Sequence, residues 1–216
     1  MSRRGKFITF EGPEGSGKST HAAVLMEQMT SAGYPVIAAR DPGGTVIGEE
    51  IRHVIQQDTG SEPMRPETEL FLFMASRAQL VREVILPALG KGTHVVCDRF
   101  ADSTTAYQGY GRGYDMETIF TINNMAVQDL TPDITILLDI DVKLGFERLK
   151  QRHRKNRTQN DRIENEAMAF HERVRSGYLE LARRWTDRFH VVDTSSLPIS
   201  DIKEEIWKAV RYVLDK

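Results

Sequence analysis

The chain has 216 residues, a formal net charge of −2 and one cysteine, Cys97. Its 40% apolar and 28% charged residues indicate a globular protein, and its length suits a single domain spanning residues 1–216. The composition gives no general positive field for nucleic acid, no intramolecular disulfide and no apolar run long enough to cross a membrane. We therefore expect a cytoplasmic protein that binds neither nucleic acid nor membrane.

Strands and helices alternate along the predicted secondary structure. Apolar runs predict five strands, at residues 6–11, 34–40, 93–99, 133–140 and 189–194. Apolar residues at helical spacing predict helices after Lys18, over 66–89, over about 114–130 and over 199–214. The third of these helices has Ile119, Ile122 and Met125 on its predicted apolar face. This alternation predicts an α/β fold in which a parallel sheet has helices on both faces.

A phosphate-binding loop lies between the first predicted strand and helix, in FEGPEGSGKST at residues 10–20. From Gly12 to Ser19 it matches G-x-x-x-x-G-K-[ST]. Glycines let backbone N–H groups converge on phosphates, Lys18 reaches the β- and γ-phosphates, and the Ser19 hydroxyl binds Mg²⁺. We expect a P-loop NTPase that binds its nucleotide through Gly12, Pro13, Glu14, Gly15, Ser16, Gly17, Lys18, Ser19 and Thr20.

The loop alone does not distinguish a kinase from a GTPase switch or an ATP-driven motor. The guanine-recognition motif N-K-x-D is missing from the sequence, although DPGG at residues 41–44 satisfies D-x-x-G and leaves the switch open. A motor or helicase usually needs a longer chain and a nucleic-acid surface. A kinase for a small molecule is the simplest interpretation.

Two segments offer groups for a second, phosphate-bearing substrate. Arg40 ends the second predicted strand, at the carboxyl edge of the sheet where ligands bind in such folds. Phe73 and Arg77 are four residues apart on a helix, hence on one face, and a ring beside a guanidinium suits a flat base. Taken alone, Arg40 could equally be a solvated turn residue, and Phe71 and Phe73 could be core residues.

A third segment, DRFADSTTAYQGYGRG at residues 98–113, follows the third predicted strand. Asp98 stands where a Walker-B acid holds Mg²⁺, directly or through water. Arg99 points to the same edge. Hydroxyl and amide groups follow at Ser103, Thr104, Tyr107 and Gln108. The alternative is an Asp–Arg pair that closes the strand, with a helix cap at Ser103.

Five blocks together resemble thymidylate kinases, in the same order and at similar separations: EGPEGSGKST, RDPGGT, ELFLFMASRAQ, DRFADSTTAYQGYGRG and DRIENE. The resemblance covers almost the whole chain. It implies a P-loop fold like that of nucleoside monophosphate kinases, with a short lid, and transfer of the ATP γ-phosphoryl to dTMP, giving dTDP on the route to dTTP. It also implies a Mg²⁺ requirement and a homodimer.

The resemblance also implies how the nucleoside is held. Phe73 would stack on thymine, and Arg77 would hydrogen-bond its edge with Thr104 nearby. Tyr107 would pack against the deoxyribose, and Gln108 would help to close the pocket. Ser103 belongs to the same predicted binding set.

For the acceptor phosphate, the resemblance implies Arg40 and Arg99, and for the metal it implies Asp98 acting through water. Glu14 would point away from ATP and accept a hydrogen bond from the 3′-hydroxyl of the deoxyribose. Asp41 stands where relatives usually have Glu, so the resemblance assigns no contact to its carboxylate.

One branch of the family has an arginine inside the phosphate loop, where this chain has Gly15. The resemblance then points to a catalytic arginine in the lid, the cation-rich segment 150–162. The candidates are Arg152, Arg154 and Arg157, which would act together with Lys18 and Arg99. Arg162 would pair with neighbouring carboxylates or lie near adenine. From composition alone, the same segment is also consistent with a solvated helix end.

Three other functions remain open from the sequence. The chain could be a kinase for another nucleoside monophosphate or for a deoxynucleoside, a P-loop switch, or a nucleotide-binding assembly protein without turnover. A panel of acceptor nucleotides distinguishes these possibilities.

Overall fold

The computed structural model describes residues 4–57, 62–157 and 159–216 and contains one parallel sheet. Its strands lie in the order β2-β3-β1-β4-β5, with every neighbouring pair parallel. The strands are β1 (Phe7–Glu11), β2 (Val36–Arg40), β3 (His94–Asp98), β4 (Ile134–Asp139) and β5 (Phe189–Asp193). The predicted five-stranded parallel sheet is therefore confirmed.

Eight helical segments connect and cover these strands in the described part of the chain. The segments are α1 (Lys18–Ser31), α2 (Val46–Gln56), α3 (Pro66–Leu80), α4 (Ala101–Thr104), α5 (Met116–Val127), α6 (Val142–Asn156), α7 (Met168–Arg184) and α8 (Ile199–Leu214). Helix α3 continues into a π-helical turn, Val81–Ile85, and then a last α-helical turn, Leu86–Gly90. Helix α4 continues into a π-helical segment, Thr105–Gly111.

Hydrophobic cores lie on both faces of the sheet, as predicted. On one face, Ile8 and Phe10 of β1 pack with Leu25 of α1 and Val210 of α8, all fully buried. On the other face, buried residues of β1 and β3 pack against the end of α3, and Leu137 of β4 packs against α7. Because β1 is central and every one of its residues is buried, its carboxyl end is rigidly placed, and the phosphate loop starts there.

The structure corrects one sequence expectation about the helices. Met125 is 74% exposed, so the apolar face of α5 consists of Ile119 and Ile122 without it. The lid segment 150–162 is α-helical as far as Asn156, because α6 continues into it, and this part agrees with the alternative of a helix end. Helices α2, α4, α6 and α7 were not among the predicted elements. Helices α6 and α7 carry so many charges that their apolar spacing is weak in the sequence.

Candidate active site

The phosphate loop packs directly against the first turn of α6. Gly15 has a φ of 73°, and a Cβ atom built there would lie 2.1 Å from the carbonyl oxygen of Gly145. A side chain at position 15 would therefore collide with backbone, which no rotamer change can relieve. The same contact leaves no space for an arginine at this point of the loop.

Lys18 begins α1 and folds back over the loop. Its Nζ atom donates to the carbonyl oxygens of Gly12, at 3.0 Å, and Pro13, at 2.8 Å. Burial, together with the nearby Arg99 charge, lowers the pKa of Lys18 to about 8. The ammonium group is thus held in the concavity of the loop, where phosphates bind in P-loop proteins.

Ser19 and Asp98 meet at the carboxyl edge of the sheet. The Ser19 Oγ atom donates to Asp98 Oδ2 at 2.5 Å, which joins the start of α1 to the end of β3. Hydroxyl and carboxylate oxygens are the donors that Mg²⁺ prefers. Within the described residues there is no cluster of three or more His, Cys, Asp or Glu side chains suited to a metal. The Ser19 hydroxyl and the Asp98 carboxylate thus offer two neighbouring oxygen groups that fit Mg²⁺.

Arg99 connects the loop to the opposite side of the cleft. It adopts a left-handed backbone with a φ of 68°, and its Nη2 atom donates to Glu14 Oε1 at 2.5 Å and to the Tyr107 hydroxyl at 3.0 Å. The Tyr107 hydroxyl in turn donates to Glu14 Oε1 at 2.6 Å. The acid of the phosphate loop thus turns toward Arg99 and Tyr107 rather than toward the concavity that holds Lys18.

The charge of Glu14 is set by these neighbours. Burial acts to raise its pKa, but the positive charges of Arg99 and Lys18 and the Tyr107 hydroxyl outweigh burial and lower the pKa to about 2. Glu14 is therefore a carboxylate at any pH at which the protein would work.

Glu11, the last residue of β1, was not among the predicted site residues, and it holds the segment that carries Arg99 in place. Its fully buried carboxyl group accepts hydrogen bonds from the backbone N–H groups of Phe100, at 2.8 Å, and Ser103, at 3.2 Å. It also accepts from the Ser103 Oγ atom at 2.6 Å and the Tyr178 hydroxyl at 2.9 Å. Burial and the nearby Asp102 raise the pKa of Glu11 to about 7. These bonds fix the backbone around Arg99. They also engage the Ser103 hydroxyl, which was predicted to belong to the nucleoside-binding set.

A pocket for a flat group lies beyond Arg99, in the same cleft as the phosphate loop. The cleft has a volume of about 400 Å³, and all four residues predicted to surround the base line it: Phe73, Arg77, Thr104 and Gln108. Of the two phenylalanines that could instead be core residues, Phe71 is 62% exposed, and Phe73 is partly buried and packs against the core cluster around Leu70 while it lines the cleft. The Thr104 Oγ1 atom is buried without a hydrogen-bond partner among the described residues, so it can bond to a ligand.

Arg77 is held rigidly in this pocket. It is 1% exposed, and it donates through Nε to Asp41 Oδ2 at 2.5 Å, through Nη1 to Asn123 Oδ1 at 2.7 Å and through Nη2 to the Phe100 carbonyl at 3.3 Å. The carboxylate of Asp41 thus fixes the plane of the Arg77 guanidinium. This contact of the Asp41 carboxylate was not predicted from the sequence.

Two arginines reach the cleft from neighbouring elements, Arg40 at the end of β2 and Arg52 on α2. Arg40 lines it, but its Nη2 atom donates to both carboxylate oxygens of Glu49 on α2, at 2.9 and 2.8 Å. Arg52, also on α2, lines the cleft and donates to the Pro42 carbonyl at 3.0 Å. Arg52 was not predicted from the sequence because α2 was not. The start of α2 is marked by the Thr45 side chain, which accepts a hydrogen bond from the Gly48 N–H group.

The three predicted lid arginines differ in position. Arg152 lines the cleft and donates to Glu164 Oε1 at 3.1 Å. Arg154 and Arg157 are exposed and are not among the residues that line the cleft. Arg148, one helical turn before Arg152, also lines the cleft and was not predicted. The structure therefore favours Arg152 among the candidates.

Arg162 pairs with a carboxylate, which is the first of the two positions expected for it from the sequence. It forms an ion pair with Glu69 at 2.6 Å, and its Nε atom donates to the Ile55 carbonyl at 3.1 Å. Its guanidinium is therefore engaged with α2 and α3.

Comparisons with known proteins agree with this geometry. The family model described as thymidylate kinase matches residues 10–206. The chain is 48% identical over 203 residues to the thymidylate kinase of Pelobacter propionicus, covering 94% of this chain and 92% of the relative. It is 46% identical over 211 residues to that of Desulfosudis oleivorans, covering 97% and 98%.

A solved structure is similar over the same span. The crystal structure of thymidylate kinase from Ehrlichia chaffeensis superimposes with a TM-score of 0.75 at 32% identity, covering 96% of this chain and 99% of the other. Because the matches extend over nearly the full length of both sequence and fold, they include every segment that lines the cleft. The chain belongs to the thymidylate kinase family.

Proposed function

We propose that this chain transfers the γ-phosphoryl group of ATP to dTMP, giving dTDP for dTTP synthesis. The observation that carries the proposal is the single cleft that has the phosphate loop at one end and a base-sized pocket at the other. Arg99 stands between the two and contacts groups on both sides. Family membership supports the same activity.

On the donor side, the loop residues 12–20 would hold the ATP phosphates. Backbone N–H groups and the N-terminus of α1 provide positive potential, and Lys18 adds a full charge from within the loop. Lys18 would exchange its hydrogen bonds with the loop carbonyls for bonds to phosphate oxygens.

Mg²⁺ is part of the proposal, because Ser19 and Asp98 form a suitable oxygen pair. The Ser19 hydroxyl would bind the ion, and the Asp98 carboxylate would hold it directly or through water. When bound, the ion would neutralise charge on the phosphates during transfer.

On the acceptor side, Phe73 would stack on thymine while the fixed Arg77 guanidinium and the Thr104 hydroxyl bond to its edge. Gln108 would close the pocket. Tyr107 would pack against the deoxyribose, and the ionised Glu14 would accept a hydrogen bond from the 3′-hydroxyl. An acid in this place is tolerable because the group it faces is neutral.

For the acceptor phosphate we propose Arg99, Arg52 and Arg40. The side chain of Arg40 would exchange the Glu49 carboxylate for the phosphate. Ser103 would act indirectly, because its hydroxyl already bonds to Glu11 and lies 3.3 Å from Arg99 Nη1.

The transfer itself needs alignment and positive charge more than covalent chemistry from the protein. Lys18, Arg99 and Arg152 would provide that charge around the moving phosphoryl group. Arg152 supplies, from α6, the cation that the contact between Gly15 and Gly145 excludes from the loop.

We also propose a homodimer. Helices α2, α3 and α5 pack side by side and leave apolar side chains uncovered: Val46 is 85% exposed, Ile47 54%, Val54 49%, Phe71 62% and Met125 74%. A second copy would cover them by the hydrophobic effect. No helix among the described residues is long and apolar enough to span a membrane. A cytoplasmic location, suggested by the single cysteine, completes the proposal.

An acceptor panel tests the proposed reaction. With ATP and Mg²⁺, we expect fast ADP release with dTMP, slow release with dUMP, and negligible release with dCMP or dGMP. If another nucleoside monophosphate reacts faster than dTMP, that nucleotide is the acceptor and the proposal is wrong. GTP hydrolysis without an acceptor would favour a P-loop switch.

A further inference from the structure

Glu69 on α3 is a buried carboxylate that connects three separate parts of the molecule. It is 1% exposed and lies one helical turn before Phe73. Its Oε1 atom accepts from Gln108 Nε2 at 2.8 Å, and Arg112 donates to both of its oxygens, at 3.2 and 3.0 Å. Its Oε2 atom forms the ion pair with Arg162 at 2.6 Å. One side chain thus joins the wall of the nucleoside pocket to the DRIENE segment.

The ion pairs around Glu69 join two carboxylates to two guanidinium groups, so their net charge is zero only when all four are present. Glu69 and Glu166 oppose Arg112 and Arg162, because Arg112 also pairs with Glu166 at 2.5 Å. Loss of the Glu69 charge would leave two partly buried guanidinium groups with a single carboxylate. The position of Arg162 therefore depends on Glu69 as well as on the bond from its Nε atom to the Ile55 carbonyl.

The contacts continue from Arg162 to the lid arginine. Two residues after Arg162, Glu164 is 7% exposed and accepts from Arg152 Nη2 at 3.1 Å and pairs with His153 at 3.0 Å. The turn between them is tight, since Asp161 Oδ1 accepts from the N–H groups of Ile163, at 2.9 Å, and Glu164, at 2.8 Å. A displacement of Arg162 would therefore also displace the Glu164 carboxylate, which accepts the hydrogen bond from Arg152.

We propose that Glu69 is a positioning residue that couples the nucleoside pocket to Arg152 through Arg162. The proposal rests on the function given above, in which Gln108 meets the acceptor and Arg152 meets the donor phosphates. An acceptor that contacts Gln108 fixes Glu69, which in turn fixes the turn at Arg162 and the place of Arg152. Each nucleotide should then tighten the binding of the other, because coupling between two sites is reciprocal.

The test measures binding of a non-hydrolysable ATP analogue with Mg²⁺ by calorimetry, with and without saturating dTMP. For the wild-type protein we expect dTMP to tighten analogue binding by about fivefold or more, the lower end of usual coupling factors. In Glu69→Gln, and separately in Arg162→Lys, we expect the factor to fall below about twofold, with kcat lowered as well. The double variant should show no further loss, since both residues act in one path.

Asp133→Asn is the matched control. Asp133 is a mostly buried carboxylate that pairs with Lys6 and accepts from the Phe7 N–H group, at the opposite edge of the sheet. We expect it to lower stability without changing the coupling factor. Should Glu69→Gln fail to fold, Arg162→Lys, which keeps the charge but loses the fork of donors, carries the test.

Two outcomes overturn the inference while leaving the proposed function intact. One is independent binding of the analogue and dTMP to the wild-type protein, and the other is full coupling retained in both single variants. If the wild-type protein binds the analogue but not dTMP, the proposed function fails as well.

Discussion

Arg99 and Glu14 form an ion pair of 2.5 Å at the boundary between the phosphate loop and the base-sized pocket. Glu14 belongs to the loop, and Arg99 follows β3, so the pair joins two adjacent strands of the sheet at their carboxyl ends. It explains how an anion-binding loop can contain an acid. The carboxylate is neutralised by an arginine and faces the side of the cleft away from Lys18.

Glu14→Gln should separate the two sides of the cleft. We expect dTMP turnover to fall by about tenfold or more, because a charge-assisted hydrogen bond to the sugar and the orientation of Arg99 are both lost. Affinity for an ATP analogue, measured by calorimetry, should stay within about threefold of wild type, a difference under 1 kcal/mol. Unchanged turnover would show that Glu14 has no role in acceptor binding.

Gly15→Ala should abolish activity or folding, whereas Gly33→Ala should not. Both glycines have positive φ, 73° and 84°, so both variants carry the same kind of backbone cost. Only at Gly15 does the new Cβ meet backbone, since nothing lies within 4 Å of a Cβ at Gly33. Thermal unfolding and turnover of the two variants measure the difference. Equal behaviour would mean that the contact with Gly145 is not limiting.

Arg152→Ala should lower kcat by at least about tenfold with little change in the dTMP KM, given that cationic fingers contribute roughly 10³–10⁵ in phosphoryl transfer. Arg154→Ala and Arg157→Ala are matched controls on the same segment, and both should stay near wild type because neither residue lines the cleft. Steady-state kinetics with dTMP varied at saturating ATP give kcat and the dTMP KM of each variant, and these values test the prediction. A large effect in a control with none in Arg152→Ala would reassign the catalytic arginine.

Glu11 should make stability fall as pH rises from about 4.5 to about 7. Its pKa in the folded protein is about 7, above its ordinary value of 4.5, so the folded state binds the extra proton in this window. The Glu11 contribution is fully present below pH 4.5 and is lost as pH rises through 7, with a slope of at most about 1.4 kcal/mol per pH unit.

Urea unfolding of wild type and Glu11→Gln between pH 5 and pH 8 measures this slope. The variant should gain stability relative to wild type as pH rises. Glu14→Gln serves as the comparison, because the low pKa of Glu14 keeps that carboxyl group ionised throughout the range, so its removal should change the pH slope less than the removal of Glu11 does. A constant stability difference between Glu11→Gln and wild type would show that Glu11 does not titrate there.

Phe71→Glu should weaken the proposed dimer. Phe71 is 62% exposed on α3, and a carboxylate there would be buried on association at a cost of several kcal/mol. Tyr212→Glu is the control, because Tyr212 is similarly exposed, at 65%, on α8 rather than on the α2, α3 and α5 surface. Sedimentation velocity at micromolar concentration should show a dimer for wild type and the control, and monomer for Phe71→Glu. Monomeric wild-type protein would reject the homodimer.

The sequence was sufficient to predict the sheet and the residues whose motif is local. The phosphate loop, Asp98 and the Phe73–Arg77 pair follow from short spacings next to a strand or on one helix face. Glu11 and Glu69 could not be found in this way, because their partners are up to 167 and 93 residues distant along the chain. In the sequence, each is one acidic residue within an apolar strand or helix, and no neighbouring residue indicates its partners.

Arg52 and Arg148 were missed for a different reason. Each lies on a helix that was not predicted, so no face could be assigned to it. The choice among Arg152, Arg154 and Arg157 likewise required the helical phase of α6, which places Arg148 and Arg152 together on the cleft side.

The most direct measurement follows the phosphoryl group itself. With ATP labelled in its γ-phosphate, dTMP, Mg²⁺ and the wild-type protein, the label should appear in dTDP in an amount equal to the ADP formed. Label released as free phosphate, with no labelled dTDP, would contradict transfer from ATP to dTMP.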